Sequence, residues 1–126
     1  MNIQFIDHVV IIVKDIQKTY NFYKAFLGEP PEEPEKEQVW WKIGDTKIFF
    51  GLPYGDFQPY DKDKYGINHL AFGVRTIEEL KELESKLNDA NIKNSGIQID
   101  KWGKKEFIWF DDPDEYRLEF YCRPVE

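Results

Sequence analysis

Cysteine, methionine and histidine are scarce in this chain: one, one and two copies among 126 residues. The lone Cys122 has no partner for an internal disulfide, so a reducing, cytoplasmic setting is expected. Its place in a terminal apolar stretch reads as a small hydrophobe rather than a nucleophile. No uninterrupted apolar run approaches the roughly 18 residues of a membrane span. The opening residues Met1-Asn2-Ile3-Gln4-Phe5 lack the basic and apolar regions of a secretion signal. Positive charge is also in deficit, with 17 Lys and Arg against 24 Asp and Glu and a formal net charge of −7. That balance argues against nucleic acid or an anionic membrane surface as partner. It leaves a small molecule as the expected partner.

Aromatic residues are plentiful at 17%, within a hydrophobic content of 41%, enough for a packed interior. The chain is long enough for one compact domain or two small modules with a shared core. An internal repeat favours the modular reading. Ile6-Asp7-His8-Val9-Val10-Ile11-Ile12-Val13 aligns with Ile67-Asn68-His69-Leu70-Ala71-Phe72-Gly73-Val74, and beyond it Lys14 meets Arg75 and Ile16 meets Ile77. A repeated stretch means one supersecondary unit used twice. The chain's two histidines, His8 and His69, fall at the same place in both copies. We read them as converging on one metal ion.

Periodicity then divides the chain. Residues 3–13 read as a strand covered on both faces, because nearly every position is apolar. Asp15 can cap a helix over about 16–27 that places Ile16, Tyr20, Tyr23 and Leu27 on one stripe and ends at Gly28. Pro30, Pro31 and Pro34 point to an exposed loop or short edge strand. A hairpin of 37–43 and 46–51 turns at Gly44-Asp45. Module 1 is expected over about 1–52, a linker over about 53–65 and module 2 over about 66–126. The linker's Tyr54, Phe57, Tyr60 and Tyr65 are expected to anchor it on the core, with the shaping of a ligand pocket as the alternative. In module 2 a strand at 67–75 precedes Thr76-Ile77-Glu78-Glu79, a capping-box pattern, and a helix at about 77–90 with Ile77, Leu80, Leu83 and Leu87 inward. Asn91 suits a left-handed helix end. Strands near 96–100, 105–111 and 115–122 follow, the last two joined at Asp112-Pro113-Asp114.

The repeat shows what stands opposite each residue of the final strands. Lys47-Ile48-Phe49-Phe50 matches Arg117-Leu118-Glu119-Phe120, so Glu119 falls where the first copy has Phe49. A carboxylate between Leu118 and Phe120 is costly to bury unless it is paired or bound to metal. His8, His69 and Glu119 make a two-histidine, one-carboxylate set. It suits Fe, Mn, Zn, Ni or Co as the divalent ion, with positions left for a chelating substrate.

Here the chain resembles the vicinal oxygen chelate superfamily, which includes glyoxalase I, extradiol dioxygenases, fosfomycin-resistance thiol transferases and bleomycin-resistance proteins. The resemblance rests on Asp7-His8-Val9, Asn21-Phe22-Tyr23 with Leu27-Gly28, Asn68-His69-Leu70-Ala71-Phe72, and the tail from Trp102-Gly103 through Asp112-Pro113-Asp114 to Leu118-Glu119-Phe120. It implies an α+β fold of two tandem βαβββ modules forming a curved mixed-sheet cup, the glyoxalase-like fold. It also implies metal ligands at His8, His69 and Glu119, with Glu119 the catalytic carboxylate, and a homodimer. Glyoxalase I has a further glutamate at the position of Phe49. The chain departs from the family again at Glu115, where the family has glycine, and a non-glycine there carries turn strain.

Trp41, Phe49, Trp102 and Tyr121 are the candidate substrate-pocket residues, and Tyr116 and Tyr121 are candidate proton donors. Trp40 and Trp41 alternate, so at most one can face the cup. Arg75 and Arg123 are read as surface salt-bridging residues, with an anionic substrate as the alternative. Two functions remain open. One is a metal-dependent lyase, thiol transferase or dioxygenase. The other is a metal-free protein of the bleomycin-resistance type that sequesters a cationic aromatic drug in an acidic, tryptophan-lined groove.

Overall fold

Strand pairing repeats in this chain as its sequence does. The computed structural model describes residues 1–126. They divide into two units, Met1–Gln58 and Pro59–Glu126. Unit 1 contains β1 (His8–Ile12), α1 (Ile16–Leu27), β2 (Gln38–Ile43) and β3 (Thr46–Gly51). Its sheet has the order β1-β3-β2, with β1 parallel and β2 antiparallel to β3. Unit 2 contains β4 (His69–Val74), α2 (Ile77–Asp89), β5 (Gln98–Ile99), β6 (Glu106–Asp111) and β7 (Arg117–Cys122). Its sheet runs β4-β7-β6-β5, with β4 parallel to β7 and the other pairs antiparallel.

The architecture is α+β, with two helices and two mixed sheets. Unit 2 is a full βαβββ module. Unit 1 is one strand short, because residues 29–37 form no ladder. Pro30, Pro31 and Pro34 have no N–H to give to one.

Both helices start and stop where their side chains dictate. The Asp15 carboxylate accepts the Lys18 backbone N–H at 3.0 Å, and Gly28 closes α1 with φ +81°. Thr76 and Glu79 cap each other's backbone at the start of α2. Its end is a Schellman turn: Ile92 N–H bonds Leu87 C=O at 2.8 Å, Asn91 N–H bonds Asn88 C=O at 3.0 Å, and Asn91 takes φ +58°.

Leu80, Leu83 and Leu87 point from α2 into a core with Ile108, Phe110, Leu118 and Phe120. Truncating one such fully buried leucine to alanine costs about 2–5 kcal/mol. In α1 the buried stripe is Ile16, Thr19, Tyr23 and Phe26 rather than the expected Ile16, Tyr20, Tyr23 and Leu27. The Tyr20 hydroxyl instead reaches Glu29 at 2.8 Å.

The first strand is shorter than its apolar run. Residues 3–7 are irregular, and His8, Val10 and Ile12 are exposed, so β1 is not covered on both faces. Among the linker aromatics, Tyr60 packs on Tyr116 with ring centres 4.4 Å apart, whereas Tyr54 and Tyr65 are fully exposed. At the β6–β7 turn the Asp112 carboxylate collects the N–H groups of Asp114 and Tyr116, and Glu115 takes φ +65°. The strain anticipated at Glu115 is therefore present.

Candidate metal centre and the groove beside it

Parallel pairing of β4 with β7 sets His69 opposite Arg117 and Ala71 opposite Glu119. His69 Nε2 then lies 3.5 Å from Glu119 Oε2. The Glu119 side chain is only 19% exposed, between the core residues Leu118 and Phe120. The orientation of the His69 ring follows from its neighbour. Asn68 Nδ2 donates to the Lys62 carbonyl at 2.8 Å, which fixes the amide with its oxygen toward His69. His69 Nδ1 lies 2.8 Å from that oxygen and must donate to it. With Nδ1 held by Asn68, Nε2 is the ring nitrogen turned to the Glu119 side.

The separation fits a shared ion. Two donors at about 2.0–2.2 Å from one ion, at a tetrahedral angle, stand about 3.4 Å apart. A charge-assisted hydrogen bond between the same groups would close to about 2.7–2.9 Å. The spacing is that of an imidazole–carboxylate pair and also suits two ligands on one divalent cation.

His8 opens β1 of unit 1. Its Nδ1 lies 2.8 Å from Asp7 Oδ2, and its ring meets Phe49 edge-on with centroids 5.9 Å apart. Each histidine is thus held at Nδ1 by the side chain that precedes it, which leaves Nε2 for a ligand. Reasoning from sequence missed this role of Asp7 and Asn68. The signal was present: both copies put a side-chain oxygen immediately before histidine. His8 pairs with Lys47 as His69 pairs with Arg117, so Phe49 occupies the strand position of Glu119. Of the three expected ligands, His69 and Glu119 come together in unit 2, while His8 stands in unit 1. Within neither unit do three His, Cys, Asp or Glu side chains gather.

A groove of about 670 Å³ runs from His69 and Glu119 along β4 and β7, past Ala71, Gly73 and Tyr121, to Arg75 and Arg123. One wall is the loop at 100–103. Asp100 accepts the N–H groups of Trp102 (3.2 Å) and Gly103 (2.8 Å) and the Tyr121 hydroxyl (3.0 Å). These bonds, the Gly103 N–H foremost, hold the Asp100 carboxyl below its ordinary range. Loss of solvent first, and then Asp100, push the Tyr121 phenol up.

The candidate pocket residues divide. Tyr121 lines the groove. Phe49 stands between His8 and Trp40 on the face of unit 1 that carries His8. Trp41 is a correction. It is 2% exposed, packs on Tyr23 and Phe50, and donates Nε1–H to the Gly28 carbonyl at 2.9 Å. Alternation along β2 sends it to the helix side and leaves Trp40 on the His8 side. Trp102 is a second correction. It is 83% exposed, and its neighbour Gly103 is the one that lines the groove. Tyr116 packs on Tyr60 with the rings tilted by 45° and has no part in the groove lining. Arg75 and Arg123 form no carboxylate ion pair, against the salt-bridging reading.

Comparison with known proteins bears on the family and the fold. Residues 5–120 match the family described as the Glyoxalase/Bleomycin resistance protein/Dioxygenase superfamily. The metallothiol transferase FosB of Staphylococcus saprophyticus is 29% identical over 124 residues, covering 98% of this chain and 80% of that one. The YwkD protein of Bacillus subtilis is 30% identical over 129 residues, covering 96% and 98%. The crystal structure of a glyoxalase family protein from Enterococcus faecalis superposes with a TM-score of 0.72 at 28% identity, covering 94% of this chain and 97% of that one.

Proposed function

On the premise that the chain belongs to the Glyoxalase/Bleomycin resistance protein/Dioxygenase superfamily, we propose that it is a divalent-metal-dependent enzyme acting on a small molecule with two neighbouring oxygens. His8, His69 and Glu119 hold the ion, which is Fe, Mn, Zn, Ni or Co. The observation that carries this reading is the His69–Glu119 pair, an imidazole Nε2 and a carboxylate oxygen 3.5 Å apart, with the other ring nitrogen held by Asn68. A bound divalent ion supplies Lewis acidity toward the substrate's oxygens.

The chain's own residues supply orientation and charge. Asp7 and Asn68 hold the two imidazoles by Nδ1, and Glu119 contributes the one anionic ligand. Phe49, at the strand position of Glu119, offers no second carboxylate to shuttle a proton. That favours attack by an external nucleophile over glyoxalase I chemistry. The likeness to a metallothiol transferase supports thiol transfer, within the wider set of lyase, transferase and dioxygenase reactions. The active form is a homodimer in this reading, and His8 completes the ligand set from its own chain or from the second copy. β1 and β4 are edge strands of their own sheets, with Val10 and Ile12 exposed. A buried Cys122 and a helix set in which none is long and apolar enough to cross a membrane fit a cytoplasmic setting.

The alternative, metal-free capture of a cationic aromatic drug, meets an obstacle. The groove carries two arginines, and Trp41 and Trp102 do not line it. Elemental analysis of untagged protein tests the reading. One divalent ion per chain is expected in the wild type and none in His8→Ala, His69→Ala or Glu119→Ala. Equal retention by the wild type and all three variants would overturn it.

A further inference from the structure

The end of the groove remote from His69 and Glu119 is built differently. Residues on the groove face of β4 and β7 alternate: His69, Ala71, Gly73 and then Arg75 on one strand, Glu119, Tyr121 and then Arg123 on the other. The ladder continues one step past both strands, where the Arg123 N–H bonds the Val74 carbonyl at 2.8 Å. Arg75 Nη1 donates to the Arg123 carbonyl at 3.1 Å, so the two arginines are neighbours. The Arg123 guanidinium lies 5.1 Å from the centre of the Tyr121 ring.

Neither guanidinium has a carboxylate within 4.0 Å. The nearby carboxylates are already engaged. Glu79 accepts from the backbone of Arg75 and Thr76 and from the Thr76 hydroxyl. Asp100 accepts from two backbone N–H groups and Tyr121. Two neighbouring arginines that line one groove thus lack a carboxylate partner, in a chain of net charge −7. Their forked donors match a planar or tetrahedral oxyanion. Between the two ends the floor is Ala71 and Gly73, which leaves room for a chain of atoms to lie along the strands.

We propose that Arg75 and Arg123 form an oxyanion subsite that binds a carboxylate or phosphate terminus of the substrate or of a second substrate. Arg123 lies four positions beyond Glu119, about 13 Å along the backbone at the strand rise. In this assignment the anionic group is distinct from the chelated pair of oxygens. It is the far end of an extended molecule, or it belongs to a co-substrate laid along β7. This assignment of distance rests on the metal reading of His69 and Glu119; the anion subsite itself does not.

Titration of the isotope-labelled protein with inorganic phosphate and, separately, with glutarate tests the subsite. The side-chain Nε–H signals of Arg75 and Arg123 should shift, and the tighter probe identifies the class of anion. Arg75→Gln and Arg123→Gln should each weaken binding by about tenfold or more, the loss of one charge-assisted contact. The lysine variants should retain part of it. Glu119→Ala should leave phosphate binding unchanged while abolishing metal retention. Unshifted arginine signals in the wild type, or unaltered affinity in both glutamine variants, would overturn the subsite. Metal loss with intact anion binding in Glu119→Ala supports both assignments. A wild type that retains no metal but binds phosphate through the arginines would overturn the metal reading alone.

Discussion

Gly103 leaves open the space that the Tyr121 hydroxyl fills. A Cβ on Gly103 would stand 1.8 Å from that oxygen and 2.9 Å from Asp100 Oδ2. The Tyr121–Asp100 bond and the groove wall therefore require glycine at this position for space alone. Gly103→Ala is expected to destabilise the protein by about 1–3 kcal/mol through overpacking. Tyr121→Phe removes the clashing atom, so Gly103→Ala in that background should cost less. Chemical denaturation of the four proteins measures the coupling, and strict additivity would show that the two residues do not interfere.

Asn68 Oδ1 holds His69 by its Nδ1, 2.8 Å away. Asn68→Ala should weaken metal binding about 10–100-fold, as loss of an outer partner does. Asn68→Asp restores an acceptor, the arrangement found at Asp7 and His8, and should recover most of the affinity. Competition with a chromogenic chelator reads both. Equal affinity in Asn68→Ala and wild type would remove Asn68 from the metal centre.

Glu115 is a non-glycine residue at φ +65°. The left-handed conformation costs an L-residue about 1–2 kcal/mol. Glycine gives back about 0.4–1 kcal/mol of that gain through the freer unfolded chain. Glu115→Gly should stabilise by about 0.5–1 kcal/mol in urea melts. Glu115→Val should be less stable than the wild type, since a branched Cβ fits this region worse.

Tyr116 provides a pH test away from His69 and Glu119. Burial, with added repulsion from Asp114 and Asp112, pushes its phenol up to about 12, against an ordinary 10.0. The neutral phenol's contribution to stability is complete below pH 10 and is lost as pH rises from 10 toward 12, because the unfolded chain ionises first. Tyr116→Phe should flatten the fall in stability across that window. It should also remove the tyrosinate absorbance component that titrates near pH 12.

Much of the secondary structure was legible because its causes are local. Asp15, Thr76, Glu79 and Asn91 do in space what capping chemistry requires of them. The match of Phe49 to Glu119, made from repeat alignment, reappears as strand register. The failures also have local causes. A continuous apolar run at 3–13 does not say where pairing begins, and only five of those residues have a partner strand. The α1 stripe was misjudged because Thr19 and Phe26 fit the same helical period as Tyr20 and Leu27.

The amino-acid order alone determined the duplicated unit, the equivalence of His8 and His69, and a carboxylate set into an apolar strand. Each is a matter of period and spacing along one chain. Tertiary structure alone decided that Asn68 holds the His69 ring, that Trp41 belongs to the core, that Gly103 makes room for Tyr121, and that Arg75 lies beside Arg123 without a counter-charge. Those facts depend on which strand lies next to which, and in what register, and pairing between distant segments leaves no periodic trace in the sequence.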